Sequence, residues 1–419
     1  MTGARTVGAV TCLGCGCACD DLEVSVRDGR IVDISPPCPV GREWFGDGSV
    51  PDAITKGGKA ATLEQAIAEA ARVLMAEAGR TIVYLGPDLS TQAQRTALAI
   101  ADLLHARVDT ATSRAAAAGL LAAQRRGRAA ATLGEIRNRA DVVLFWAADP
   151  EARHPRFFSR FIDAAGTHVP RGRAGRRVVS VTVGADRGPS GGDLELTFSP
   201  EEEVAALSIM RATVLGNPLG EVPPRLRQAA VAAKLLKEAK YAVIVHEAEP
   251  GGGQPDPLRA EGLTALAQAL NGPTRAALST LRSGGNRSGA EAALTWQTGY
   301  PMAVDFSEGF PRYAPERRAL DLPGGAAAML VAGSSTELSP QVTAALGKIP
   351  VVVIGPRASR ASFTTRVAVD TGVAGIHEGG TAYRTDDIPL PLRPPLPGAR
   401  SAAGTLHTLL AALQSGRKR

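Results

Sequence analysis

The hydrophobic pattern of this 419-residue chain changes period several times. Near the start, Leu22-Glu23-Val24-Ser25-Val26 alternates apolar with polar, and Arg30-Ile31-Val32-Asp33-Ile34 alternates back. Asp28-Gly29 lies between them, so the pattern predicts a hairpin closed by a type I′ turn. From Thr62 the period becomes helical. Thr62 with Gln65 forms a capping box, and Leu63, Ala66, Ile67, Ala70, Val73 and Leu74 fall on one face of a helix running to about Ala78. Continuous apolar runs then alternate with helical stretches. The runs at 81–86, 141–146, 178–183, 241–245, 327–332 and 351–355 read as buried parallel strands. Helices are expected over 92–104, 201–240, 257–270 and 401–415, and the Pro-rich stretch after Ile388 reads as extended and irregular. Strands alternating with helices make βαβ units and parallel sheets, so the expected class is α/β. The expected division is a small cysteine/β-hairpin domain over 1–57, a first α/β domain over 58–190, a second over 191–355, and a returning segment with a tail over 356–419.

Charge adds little to this picture. The net charge of +6 is spread along the chain, which gives no support to nucleic-acid binding. The basic stretches at 125–128, 171–177 and 417–419 read as solvated faces and a frayed end. No leader-like apolar segment opens the chain and no apolar run reaches the ~18 residues of a membrane span. A cytoplasmic protein is expected.

Cysteine usage changes the picture more. All five cysteines lie within the first 38 residues, and Cys12, Cys15, Cys19 and Cys38 have the spacing C-x2-C-x3-C-x18-C. Thiolates so spaced can converge on a 4Fe–4S cluster or a tetrahedral zinc, and the spacing favours the cluster over paired C-x2-C zinc knuckles. Cys17 is a bystander. No H-E-x-x-H or G-x-S-x-G arrangement is present, so hydrolysis through these motifs finds no support. His154-Pro155-Arg156 reads either as a base beside a cationic clamp or as a structural histidine before a helix that Pro155 starts at its first position. Ser283-Gly284-Gly285-Asn286 reads as a loop able to cradle phosphate through its N–H groups.

The stretch Thr-Cys-Leu-Gly-Cys-Gly-Cys-Ala-Cys-Asp-Asp-Leu-Glu-Val at 11–24 closely resembles the start of the B subunit of formylmethanofuran dehydrogenase, in the molybdopterin oxidoreductase superfamily. Stretches at 132–142, 153–160, 295–306 and 374–384 resemble that family in the same order. The resemblance implies a molybdopterin-oxidoreductase-like core, with parallel sheets in two interleaved α/β domains, a small N-terminal cysteine/β domain and no C-terminal barrel domain. In the family a thiolate or selenolate holds tungsten or molybdenum between two pterins. Here the corresponding stretch is Ser113-Arg114-Ala115-Ala116-Ala117-Ala118, without Cys or His. The resemblance therefore implies a lost redox centre, no tungstopterin or molybdopterin, and remnant pterin-pocket segments at His154, Arg156, Gly284, Gly285, Asn286, Trp296, Gln297, Thr298, Gly380 and Thr381. The cysteine quartet remains either a structural 4Fe–4S site or an empty loop. This pattern points to the bacterial branch, the B subunit of a formyltransferase/hydrolase complex in methylotrophic one-carbon oxidation. Its implied partners are an amidohydrolase-like A subunit and the C and D subunits. The alternative is an active dehydrogenase with a non-Cys metal ligand at Ser113.

Overall fold

The computed structural model describes residues 5–248, 256–318, 321, 325–336 and 338–417. The chain divides into two compact units. One comprises Met1–Ser113 and Gly284–Arg419, and the other Arg114–Ser283.

The second unit is built on a parallel sheet of five strands in the order Leu194–Phe198, Arg177–Val183, Val142–Trp146, Ala242–Glu247, Ala276–Leu281. Leu144, Trp146, Val179 and Ile244 share a core with Ala206, Met210, Leu236 and Leu266 from the covering helices Glu203–Leu215, Arg227–Lys237 and Pro257–Leu270. Strand order reverses between Val142–Trp146 and Ala242–Glu247. That reversal opens the crevice where α/β folds bind ligands.

The first unit holds two larger assemblies. Arg5–Val10, Leu22–Arg27 and Arg30–Ser35 form an antiparallel sheet whose hairpin turn has φ 49° at Asp28 and 73° at Gly29, both in the left-handed region a type I′ turn requires. The nine-stranded sheet is parallel through its centre, in the order Arg107–Thr110, Thr81–Leu85, Ala328–Ala332, Val351–Gly355, Val367–Asp370. Short antiparallel strands finish both edges. Alternate residues separate two cores. Val83, Leu85, Leu330 and Ile354 face the helices Leu63–Ala76, Thr91–Leu103, Arg287–Thr298 and Ala402–Arg417. Ile82, Tyr84, Met329 and Val353 face Val342 and Leu346 on the other side. The Thr62–Gln65 capping box forms in both directions, at 3.2 and 3.1 Å.

The α/β class with parallel sheets is as expected, but the division is not. Boundaries at 190 and 355 cut through both units. Thr81–Leu85 pairs with Ala328–Ala332 across more than two hundred residues, and Arg114–Ser283 forms a separate unit inserted between them. Two further readings need correction. Pro389–Leu392 is not irregular but pairs antiparallel with Gly380–Tyr383. In the basic stretch 171–177, Arg176 is buried at 3% exposure and not on a solvated face. Its guanidinium donates to the carbonyls of Ala140 at 3.1 Å, Ile162 at 2.5 Å, Ala164 at 3.0 Å and Arg137. Among the described residues no helix is long and apolar enough to cross a membrane.

Candidate functional site

The cysteine loop folds on its own backbone. Cys12 N–H donates to the Cys19 carbonyl at 2.8 Å, and Ala18 N–H to the Cys15 carbonyl at 3.0 Å. Cys38 arrives at the start of the helix Pro39–Phe45, and a Cβ on Gly41 in that helix would lie 3.6 Å from both Cys12 Sγ and Cys38 Cβ. Cys12, Cys17, Cys19 and Cys38 are buried, Cys15 partly so, and none forms a disulfide. Burial pushes the Cys12 thiol up; the neighbouring Cys15, Cys19 and Cys38 add to this, while Gly14 N–H, 3.4 Å from Cys12 Sγ, pulls the other way. By type alone, buried thiolates are donors suited to a cationic iron centre. Cys12, Cys15, Cys19 and Cys38 are the ligands the resemblance implies for a cluster that would supply one-electron transfer, but the structure does not gather them for it. Among the described residues, no group of three or more His, Cys, Asp or Glu is placed to hold a metal ion.

Two distant loops lock onto this one. A Cβ on Gly284 would come within 2.3 Å of the Gly14 carbonyl oxygen, so only glycine admits the approach. Gly285 N–H donates to Leu13 O at 2.7 Å and Asn286 N–H to Pro87 O at 2.5 Å. Two of the N–H groups read from sequence as a phosphate cradle, those of Gly285 and Asn286, are therefore already engaged. Asn286 is fully buried. Its Nδ2 donates to Leu89 O at 3.1 Å, Thr91 Oγ1 at 3.0 Å and Gln94 Oε1 at 3.1 Å, and its Oδ1 accepts Tyr383 N–H at 2.8 Å. The segment at 380–385 completes the lock. Thr381 and Gln92 exchange two hydrogen bonds at 3.0 and 3.2 Å, Gly380 lies against Gln92, and Thr385 N–H donates to Gly16 O at 3.1 Å.

The remaining residues read from sequence fall into three places. Trp296 is 56% exposed and meets Tyr383 edge-on at 5.6 Å; Gln297 beside it is exposed too. Thr298 is buried, and its hydroxyl bonds Leu294 O at 2.7 Å and Tyr300 N–H at 3.1 Å to end its helix. In the second unit, His154 is buried with Nε2 2.9 Å from Arg282 O, and Arg156 lies in the following turn, partly buried. Pro155 does not start a helix; it sits in that turn, ahead of the π-turn Phe158–Ile162. Arg153 bonds Glu247 and Ser283 Oγ at 2.6 Å. Arg153, in the short helix after Val142–Trp146, thus reaches the end of Ala242–Glu247 on the other side of the unit's crevice. His246, beside it, accepts or donates with Thr280 Oγ1 at 3.1 Å; burial first, then Arg128, lowers it to about 4.

The stretch that would carry a metal ligand is helical, running Ser113–Arg126. Ala116, Ala117 and Ala118 are buried in it and Ala115 partly so; the side chains of Ser113 and Arg114 lie outside the described part. Alanine offers no donor, so the described residues of this stretch do not fit tungsten or molybdenum.

Sequence reasoning missed Glu378 and Asp88. Glu378 accepts Ala402 N–H at 2.6 Å, Ala403 N–H at 3.3 Å and Ser90 Oγ–H at 3.2 Å, so it starts the last helix. Asp88 accepts Ser334 N–H through both oxygens at 3.0 Å, at the crevice between Thr81–Leu85 and Ala328–Ala332. Both are long-range capping roles that no local spacing signals.

The fold and loop define a two-unit α/β protein with parallel sheets and an N-terminal four-cysteine loop. No family model matches the chain. The B subunit of the tungsten-containing formylmethanofuran dehydrogenase 2 of Methanocaldococcus jannaschii is 32% identical over 409 residues, covering 93% of either chain. The B subunit of the formyltransferase/hydrolase complex of Methylorubrum extorquens is 29% identical over 343 residues, covering 79% of this chain and 88% of that one. A chain in the crystal structure of the Methylorubrum extorquens formyltransferase/hydrolase complex with methylofuran superposes at a TM-score of 0.73 with 27% identity, covering 88% of this chain and all of that one. The chain belongs to the family of formylmethanofuran dehydrogenase B subunits.

Proposed function

We propose that this chain is a non-catalytic scaffold subunit of a formyltransferase/hydrolase complex that takes formyl-tetrahydromethanopterin through formylmethanofuran to formate in bacterial one-carbon oxidation. The observation that carries this reading is the alanine-rich helix Ser113–Arg126 where the family places its thiolate ligand. The spent polar groups of Gly285, Asn286 and Thr381 support it, since they bind other parts of the chain and need no cofactor to be satisfied. The partners are an amidohydrolase-like A subunit that hydrolyses formylmethanofuran, a D subunit that moves the formyl group, and a C subunit. Elemental analysis of the purified complex tests it. The expected result is no stoichiometric tungsten or molybdenum; one metal per chain would overturn the reading.

A second reading rests on the higher identity and fuller coverage of the tungsten-containing relative. In it the chain is an active tungsten- or molybdenum-pterin dehydrogenase subunit with Ser113 as metal ligand. Formate-dependent dye reduction that Ser113→Ala abolishes would establish it.

A further inference from the structure

A cavity of about 270 Å³ opens in the first unit between the loop 43–51 and the segment after the strand Val351–Gly355. It lies at the carboxyl end of that strand, the edge on which parallel sheets place ligands. Its floor is fixed, because the Gly48 carbonyl oxygen lies 2.7 Å from His377 Nε2, which donates to it while His377 Nδ1 accepts Val373 N–H. Two guanidinium-bearing residues, Arg357 and Arg360, both exposed, also line it. Neither forms an ion pair or a side-chain hydrogen bond among the described residues. Of the two acids on the rim, Asp47 is already held by Ser49 and Arg30, which leaves Glu43 against two arginines.

Arg357 also stands in the left-handed region, at φ 58° and ψ 29°. A long side chain there is strained where glycine is not, and such strain gathers at sites that bind. Paired guanidinium forks match the oxygens of phosphate and hold it through several charge-assisted hydrogen bonds.

We propose that this cavity, which adjoins the cysteine loop through Trp44, is a binding site for a phosphate-class dianion. Its volume admits inorganic phosphate or the phosphate end of a small ester. Titrating the full-length chain with inorganic phosphate, at constant ionic strength set by sodium chloride, tests this by calorimetry and by melting temperature. The expected result is saturable binding and a rising melting temperature, neither reproduced by chloride alone. Arg357→Gly separates binding from folding. It should melt no lower than the parent, because glycine removes the strain, and yet bind phosphate at least tenfold more weakly. Arg360→Gln should lose a similar factor. Absence of saturable binding, or undiminished binding by Arg357→Gly, overturns the proposal. The result is independent of whether the chain carries a redox metal.

Discussion

Replacing Asn286 with alanine tests whether the Gly284–Asn286 loop is a structural lock. The parent amide makes three donor contacts of 3.0–3.1 Å and accepts one N–H at 2.8 Å, all with no access to water. Two hydrogens serve three acceptors, so about three full hydrogen bonds are lost, each with a net value of about 1 kcal/mol. The larger cost is what remains. Tyr383 N–H and the Leu89 carbonyl are left in a site built around the missing amide, and an orphaned buried group costs about 1–3 kcal/mol. Asn286→Ala should therefore destabilise the first unit by about 3–5 kcal/mol. Asn286→Asp should do no better at neutral pH, because a carboxylate has no hydrogen to give Leu89 O or Gln94 Oε1. Urea unfolding followed by circular dichroism reads the effect as a lower midpoint at unchanged slope. Trp296, in contact with Tyr383, gives a local fluorescence signal for the same lock. A loss below about 1 kcal/mol would refute the reasoning, since the amide would then be free to serve something other than the fold.

Two further outcomes follow from Arg176 and His246 in the second unit. Arg176→Met should cost about 3 kcal/mol in denaturant unfolding, because four backbone carbonyls lose their donor in a buried place; a variant as stable as the parent would contradict the geometry. His246 should make stability fall with acid. Its folded pKa of about 4 lies below its unfolded value near 6.5, so the unfolded chain takes up the proton first. Its contribution is complete above pH 6.5 and is lost as pH falls toward 4. At 1.36 kcal/mol per unit, and reduced because the ring is only partly buried, the loss is about 2 kcal/mol. His246→Gln should lack that component when stability is compared between pH 7 and 4.5, and parallel curves for the two proteins would count against it.

Local physics made much of this fold legible. The Asp28-Gly29 turn, the Thr62 cap and the apolar runs at 81–86, 141–146 and 351–355 all sit where their own sequence put them. Grouping the strands was not legible. Nothing near Leu85 announces Ala332 as its neighbour, and the insertion of Arg114–Ser283 reverses the order that adjacency suggests. Site residues divided along the same line. The cysteine spacing and the donor-free stretch at 115–118 could be read from residue types alone. The roles of Asn286, Glu378 and Asp88 could not, because each bonds a segment far away in the chain: Glu378 reaches Ser90 across 288 residues, and Asp88 reaches Ser334 across 246.

That long-range bonding also bears on why motifs resembling a redox family persist beside a stretch that has no thiolate. The glycines at 284 and 285 allow the cysteine loop and the Pro87 loop to approach; the amide at 286 ties the segment 89–94 to the strand Gly380–Tyr383; Gln92 fixes Thr381. Each of these residues would be kept by folding alone, whatever occupied the pocket. A tungsten ligand has no role of this kind in the hydrogen bonds of the lock. Under the proposed function, loss of the redox centre removes the selection on 113–118 and leaves it intact on 284–286 and 380–385. This difference in what each segment does for the fold accounts for the contrast between them, and makes retention of the latter segments no argument for a bound pterin.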